Sequence, residues 1–333
     1  MSTNRLDIIN IFLMLLSMAM ALAFPFELFL FVYAVLGPLH YLTEINWLHE
    51  KKYFLTKKTD YYFIVFFILL LLLSAIFGIR SYNSLLIYSA FFGSLVLLFV
   101  KNFKKRILLI IGVFVIGFAF LYFEKIRFKL IFSIFLPTII HVYIFTGLFI
   151  LLGSLKAKSK IGLASVLIFI SCSLVLLLIN SSVNNSVITN YLSESYGIFK
   201  ILNLKLIQIF SYFHFPEIKA NLGAINTVSN TNFTVFYSDF GIKIMRFIAF
   251  AYTYHYFNWF SKTSIIQWHK TTQIKLIAIV GIWFLSVGVY IYNYTLGLKL
   301  LYIMSIAHVL LEFPLNHKSF SDISRLLFKS KTI

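Results

Sequence analysis

Long apolar runs recur from one end of this 333-residue chain to the other, and they constrain its fold more than any other feature. Runs of about 18 residues or more are long enough to cross ~30 Å of hydrocarbon as a helix rising ~1.5 Å per residue. The chain is 60% hydrophobic and only 12% charged, which is more apolar surface than one soluble core can hide. Unpaired backbone groups are costly in lipid, and runs such as 61–79 lack the alternation of barrel strands. We therefore predict an all-α fold, a polytopic membrane helix bundle of about ten transmembrane helices.

The predicted spans follow one another closely, with a single long gap. They are 7–23, 26–48, 61–79, 84–100, 107–123, 130–155, 161–180, 240–261, 274–290 and 296–313. The first run has no clear small-residue cleavage pattern, so we expect it to be retained as a helix. We interpret 1–333 as a single transmembrane domain, in which 181–239 is a long extracytoplasmic segment between spans seven and eight.

The positive charge follows the predicted topology. A net charge of +18 would indicate nucleic acid in a soluble protein, but here the lysines cluster in short loops between apolar runs. The ten-span arrangement places 19 of the 29 Lys and Arg residues on the side that also holds both termini. Because basic loops stay in the cytoplasm, we predict cytoplasmic termini and a bacterial inner-membrane location. We expect membrane lipids as partners and no nucleic acid.

Four histidines fall inside predicted spans, which makes them the first candidates for a site. They are His40, His141, His255 and His308, and all four lie on even-numbered spans. Ionisable side chains at membrane depth are costly and usually face the interior of a bundle or a cavity. Glu44 follows His40 by four residues, and Glu312 follows His308 by four, so each pair shares one helix face.

Imidazole and carboxylate groups together suit iron, zinc or manganese. We predict the four histidines as metal ligands, and Glu44 and Glu312 as further ligands, as groups that orient the imidazoles, or as proton acceptors. The breaks at Gly37-Pro38 and Pro137 are typical of helices that line protein or a cavity. A single histidine in a membrane helix is more often a packing residue, so the prediction depends on the four together. The remaining histidines are expected to be solvated: His49, His214, His269 and His317.

The segment Gly37-Pro38-Leu39-His40, with the set of four intramembrane histidines, resembles the Brp/Blh family of bacterial membrane proteins, which includes β-carotene 15,15'-dioxygenases. In that family a histidine follows a Gly-x-Pro step in an early span. This chain differs in the residues after the histidine, Tyr41-Leu42-Thr43-Glu44, and has no closely spaced pair of histidines on one late helix. The resemblance implies non-haem iron held by His40, His141, His255 and His308, and cleavage of an apolar polyene by O2.

The leading hypothesis from the sequence is therefore a membrane-embedded metalloenzyme, a non-haem iron oxygenase that acts on a carotenoid or another hydrophobic lipid-like substrate. The alternative is a proton-coupled membrane transporter in which the intramembrane His and Glu residues relay protons. A third possibility is a structural membrane subunit whose histidines only pack. Metal content separates the first hypothesis from the other two.

Overall fold

The computed structural model of the chain describes residues 3–57, 59–180, 189–197, 199–212, 228–262, 266–268 and 270–328. Every regular element within these ranges is helical, which confirms the predicted all-α class. Seven helical stretches in the described part of the chain are long and apolar enough to cross a membrane. Two of them, Pro25–Glu50 and Lys125–Ala157, run through more than one of the helices given below, and Tyr61–Phe77 and Asn83–Phe99 are shorter apolar helices. Such helices are those of an integral membrane protein. Length and composition alone thus account for seven spans, fewer than the ten predicted.

The helices follow one another with short connections over most of the described chain. They are α1 Thr3–Ala23, α2 Pro25–Phe31, α3 Gly37–Glu50, α4 Tyr61–Phe77, α5 Asn83–Phe99, α6 Phe103–Phe123, α7 Lys125–Lys129, α8 Thr146–Ala157, α9 Lys160–Leu178, α10 Asn190–Ser195, α11 Lys200–Tyr212, α12 Val228–Phe236, α13 Asp239–Ser261, α14 Gln273–Tyr292 and α15 Tyr294–Phe328. The chain divides into two compact units. The first combines Met1–Tyr33 with Leu163–Ser261, and the second combines Ala34–Gly162 with Lys262–Ile333.

The first unit is built around α13. Helices α1, α2, α11 and α12 all pack against it, and its side chains are buried on nearly every face. Aromatic rings fill the contact with α2, where Phe29 meets Tyr252 and Phe199 edge to face at 5.1 and 4.7 Å between ring centroids. Helices α10 to α12 belong to the predicted segment 181–239, while 181–188 and 213–227 of that segment lie outside the described residues.

The second unit is built around α15, the 35-residue helix that ends the described chain. Helices α3, α4, α5, α8 and α14 pack against it. At ~1.5 Å per residue α15 is about 50 Å long, which exceeds the ~30 Å hydrocarbon layer. One apolar cluster joins Val309 and other side chains of α15 to side chains of several other elements, among them Leu48, Ile64, Ile87 and Leu136.

Two helical segments depart from α-helical geometry close to predicted site residues. A π-helical turn, Val32–Leu36, comes just before Gly37-Pro38, and a longer π-helical segment, Leu130–Phe145, contains Pro137. Proline lacks an N–H and disrupts the α-helical ladder, while a π-helical turn inserts an additional residue into it. The predicted breaks are therefore confirmed, and each lies within four residues of a histidine, His40 or His141.

Candidate metal centre

Three of the predicted histidines meet in the core of the second unit. His40 lies on α3, His141 in the π-helical segment before α8, and His308 on α15. The side chain of each is about 1% exposed. Burial of three imidazoles among apolar helices is costly unless their nitrogens are satisfied by hydrogen bonds or by a metal.

The spacing of two of these rings fits a shared metal ion. The Nε2 atoms of His141 and His308 are 3.1 Å apart, and the ring planes are inclined by 76°. Two nitrogens bound to one metal at ~2.0–2.1 Å in a tetrahedral arrangement lie about 3.3 Å from each other. The ring of His40 is 5.4 Å from that of His308 between centroids and is inclined by 77°. Both imidazole pairs are thus steeply inclined, and His308 belongs to each of them.

His255 was predicted as the fourth ligand. It lies on α13 and is 8% exposed. His40, His141, His255 and His308 each offer one ligand atom, and these four atoms all lie within 4.8 Å of one another. The structure therefore brings the four predicted histidines together as a buried group that can hold a metal ion.

The two predicted glutamates also lie at this group, each beside a different histidine. Glu44 Oε2 is 3.1 Å from His40 Nε2, one turn away on α3, as predicted. Glu312 Oε2 lies 3.0 Å from His141 Nδ1 rather than beside His308, its neighbour one turn earlier on α15. Glu312 thus meets a histidine of another helix, a contact that its spacing from His308 did not predict.

Tyr41 fixes the orientation of His308. Its ring stacks on that of His308, with 4.3 Å between centroids and an interplanar angle of 20°. Tyr41 is 1% exposed, so the imidazole is held between a buried phenol ring on one side and the His141 nitrogen on its edge. Sequence reasoning missed this residue, although its position next to His40 was the available signal.

The carboxyl groups of Glu44 and Glu312 are close enough for their charges to interact. Both residues are buried, at 2% and 3% exposed. Two adjacent carboxylates in apolar surroundings cannot both carry full negative charge unless a proton or a cation compensates them. The group of imidazoles and carboxylates therefore has a donor set that suits a divalent transition metal.

A polar face continues along α15 beyond Glu312. Asn316 lies one turn further on and is fully buried, and neither of its amide atoms has a hydrogen-bond partner among the described residues. His317 was expected to be solvated, which is wrong: it is 4% exposed, and its Nε2 donates a hydrogen bond of 2.8 Å to the Phe91 carbonyl on α5. The reason is that α5 packs against this part of α15.

The other predicted polar positions do not join the group. His49 is exposed, as predicted, and its Nδ1 is 3.3 Å from the Tyr53 hydroxyl. Burial raises the pKa of the Tyr53 hydroxyl above its ordinary value of 10, so the phenol stays protonated and can donate to that nitrogen. His214 and His269 lie outside the described residues.

Comparisons with protein-family models, with curated proteins and with solved structures find no match for this chain. The resemblance to the Brp/Blh family therefore stays a prediction from short motifs.

Proposed function

We propose that this protein is a membrane-embedded metalloenzyme, a non-haem iron oxygenase that acts on a carotenoid or another hydrophobic lipid. The observation that carries the proposal is the convergence of His40, His141, His255 and His308 within 4.8 Å, with all four side chains buried. A packing role for one histidine is common in membrane helices, but packing alone does not require four of them to meet.

The charge balance supports a divalent cation. Neutral imidazoles contribute no charge, so the carboxylates of Glu44 and Glu312 would cancel the charge of one M²⁺ ion. A neutral group is the least costly one in an apolar environment, where an uncompensated charge is strongly disfavoured. Iron, zinc and manganese all accept this mixture of nitrogen and oxygen ligands, and iron is the one that supports O2 chemistry.

In this proposal the protein's own residues would bind the metal and orient the imidazoles that hold it. The histidines would hold the metal. Glu44 would lie beside one ring nitrogen of His40 and Glu312 beside one ring nitrogen of His141, and each carboxylate would favour the proton on that nitrogen. Bound iron would supply the activation of O2. In the overall reaction one carbon–carbon double bond of the substrate breaks, and each of its carbons takes one oxygen atom of O2. Two carbonyl products form, and no external reductant is needed.

The proposal includes the ten-span topology. Helix α13 is too polar to be among the seven long apolar helices, yet it has 23 residues and is long enough to cross the hydrocarbon layer. Together with α4 and α5 it would bring the number of spans to ten, which places both termini in the cytoplasm. An apolar substrate would then reach the group from the lipid.

Elemental analysis of the detergent-purified protein tests the metal. We expect stoichiometric iron in the wild type and its loss in His141→Ala and His308→Ala. His49→Ala is the matched control, because His49 is exposed and lies outside the group, and it should keep the metal. A wild-type protein without transition metal, or with metal that both variants retain, would overturn the metalloenzyme proposal.

The substrate class needs a separate measurement. The iron-loaded protein is incubated in detergent with β-carotene and O2, and the organic extract is analysed for aldehyde products. Products that carry oxygen from ¹⁸O2 support the oxygenase proposal. Metal-free protein that drives solute uptake into proteoliposomes under a pH gradient would favour the transporter instead.

A further inference from the structure

The helix that carries His40 is interrupted immediately before it. The π-helical turn Val32–Leu36 precedes Gly37 and Pro38, and α3 begins at Gly37. One inserted residue rotates every later side chain by about 100° around the helix axis, since an α-helix has 3.6 residues per turn. The register of this turn therefore decides whether the His40 imidazole faces His141 and His308 or points elsewhere.

A carbonyl of this turn is bound by a side chain from another helix. The indole Nε1–H of Trp283, on α14, donates a hydrogen bond of 2.7 Å to the Val35 carbonyl oxygen. A backbone carbonyl without a partner in an apolar span costs several kcal/mol, so the indole N–H stabilises the π-helical turn by bonding to this oxygen. Indole nitrogen donates only, and this is the one hydrogen bond that the Trp283 side chain can give.

Trp283 connects its own helix to the helices that carry the metal centre. Helix α14 is mostly exposed along its length, and its exposed residues include Ile277, Phe284 and Leu285. The same helix packs against α3 and α15, the helices that carry His40 and His308. Trp283 thus joins an otherwise peripheral helix to the turn that sets the direction of His40.

We infer that Trp283 is a positioning residue for the metal centre: by holding the Val35 carbonyl it fixes the π-helical turn, and through it the His40 and Tyr41 side chains. The effect on Tyr41 also reaches His308, because the Tyr41 ring stacks on the His308 imidazole. This inference rests on the proposed function for its consequence at the metal, but the contact itself is independent of any metal.

Two substitutions separate the hydrogen bond from the bulk of the indole. Trp283→Phe keeps a six-membered ring and removes the donor. Trp283→His keeps a five-membered ring whose Nε2 stands at the same ring position as the indole Nε1, so it retains the donor and loses the bulk. Ser286→Ala is the control on the same helix, because the Ser286 hydroxyl is fully buried and bonds only to the Trp283 carbonyl of its own helix.

The first measurement uses the metal-free protein, so that its result does not depend on whether the protein binds a metal. Hydrogen–deuterium exchange of the amides in residues 34–44 is compared among the variants. We expect exchange about five- to tenfold faster in W283F, the effect of one lost hydrogen bond, and close to wild-type rates in W283H and S286A. Unchanged exchange in W283F overturns the inference, as does an equal acceleration in W283H.

The second measurement uses the protein loaded with Co²⁺, whose visible absorption reports the number and geometry of ligands. W283F should shift these bands and weaken Co²⁺ binding about tenfold, the size expected for loss of an outer support of a ligand. S286A should match the wild type. A wild-type spectrum in W283F overturns the positioning role, whereas a wild-type protein that binds no metal ion overturns the proposed function and leaves the exchange result to decide the inference about the turn.

Discussion

At the scale of a single residue, His141 has a polar neighbour near each of its two ring nitrogens. Nε2 faces His308 at 3.1 Å, and Nδ1 faces Glu312 at 3.0 Å. A carboxylate beside one nitrogen holds the proton there, which leaves the lone pair of the other nitrogen for a metal. Glu312 is therefore placed to favour the proton on His141 Nδ1, as Glu44 is for the Nε2 atom of His40.

Glu312→Gln tests this arrangement. The amide keeps the size of the side chain but removes the charge that holds the proton on His141 Nδ1 and that helps to neutralise the cation. We expect metal affinity to fall by about 10–100-fold, as for other supports of a metal-ligating histidine. Competition with a chelator of known affinity measures the change in the purified protein.

Glu124→Gln is the control for this charge change, because the Glu124 side chain is 50% exposed and pairs with Arg127 near the start of α7. It should leave the affinity unaltered. Equal affinities for E312Q and the wild type would mean that Glu312 has no part in the centre.

The sequence located the candidate residues but not all of their partners. An ionisable side chain in an apolar run is conspicuous, so His40, His141, His255 and His308 were predicted together. The contact between Glu312 and His141 was not, because a spacing of four residues identifies neighbours on one helix and gives no information about the rotation of two helices around each other. The burial of His317 was missed for the same reason, since it depends on the packing of α5.

At the scale of elements, the two π-helical segments explain how proline residues are accommodated near the centre. Gly37, Pro38 and Pro137 predicted breaks in helices, and the breaks are present. Their π-helical form was not predictable, since it depends on donors from elsewhere, such as Trp283 for the Val35 carbonyl. Local sequence thus indicated the position of each irregularity, and tertiary contacts decided its geometry.

A second feature at the scale of elements is the hydrogen-bond network of the buried Arg106 at the start of α6. It is 4% exposed, and its guanidinium donates hydrogen bonds to Asp60 Oδ1 at 2.9 Å, to the Leu97 carbonyl at 2.9 Å and to the Val100 carbonyl at 2.6 Å. The carbonyls are at the end of α5, where a helix leaves its last C=O groups without partners. Arg106 therefore joins the start of α6 to the end of α5 and to the loop before α4.

Arg106→Met should destabilise the protein by about 3–5 kcal/mol, because it leaves the Asp60 carboxylate buried without its partner. The midpoint of thermal unfolding in detergent measures the loss. Arg127→Met removes the same kind of side chain from an exposed pair with Glu124, which contributes little in solvent, and should leave the midpoint unchanged. Equal midpoints for the two variants would show that the Arg106 network does not stabilise the fold.

At the scale of the whole molecule, the bounds of the helices and the positions of the basic loops together predict a topology that can be tested by experiment. Most short loops on one predicted side are rich in Lys and Arg, and the described helices begin and end close to them. The helix class and the long apolar runs were predictable because hydropathy and length determine them. The division into two compact units was not, since each unit combines segments that are distant in the sequence.

Cysteine labelling in intact cells tests the orientation, and Cys172 can first be replaced by serine to leave a background without thiols. In that background, Arg127→Cys on α7 should react with a membrane-impermeant maleimide from outside, because the ten-span topology places the loop before span six there. Lys104→Cys, in the loop before span five, should react only after the cells are permeabilised. Both positions are exposed, so a difference in reactivity reports the side of the membrane and not burial. The reverse pattern would invert the protein in the membrane, and labelling of both from outside would change the number of spans and remove the shared polarity of the four histidine-bearing helices.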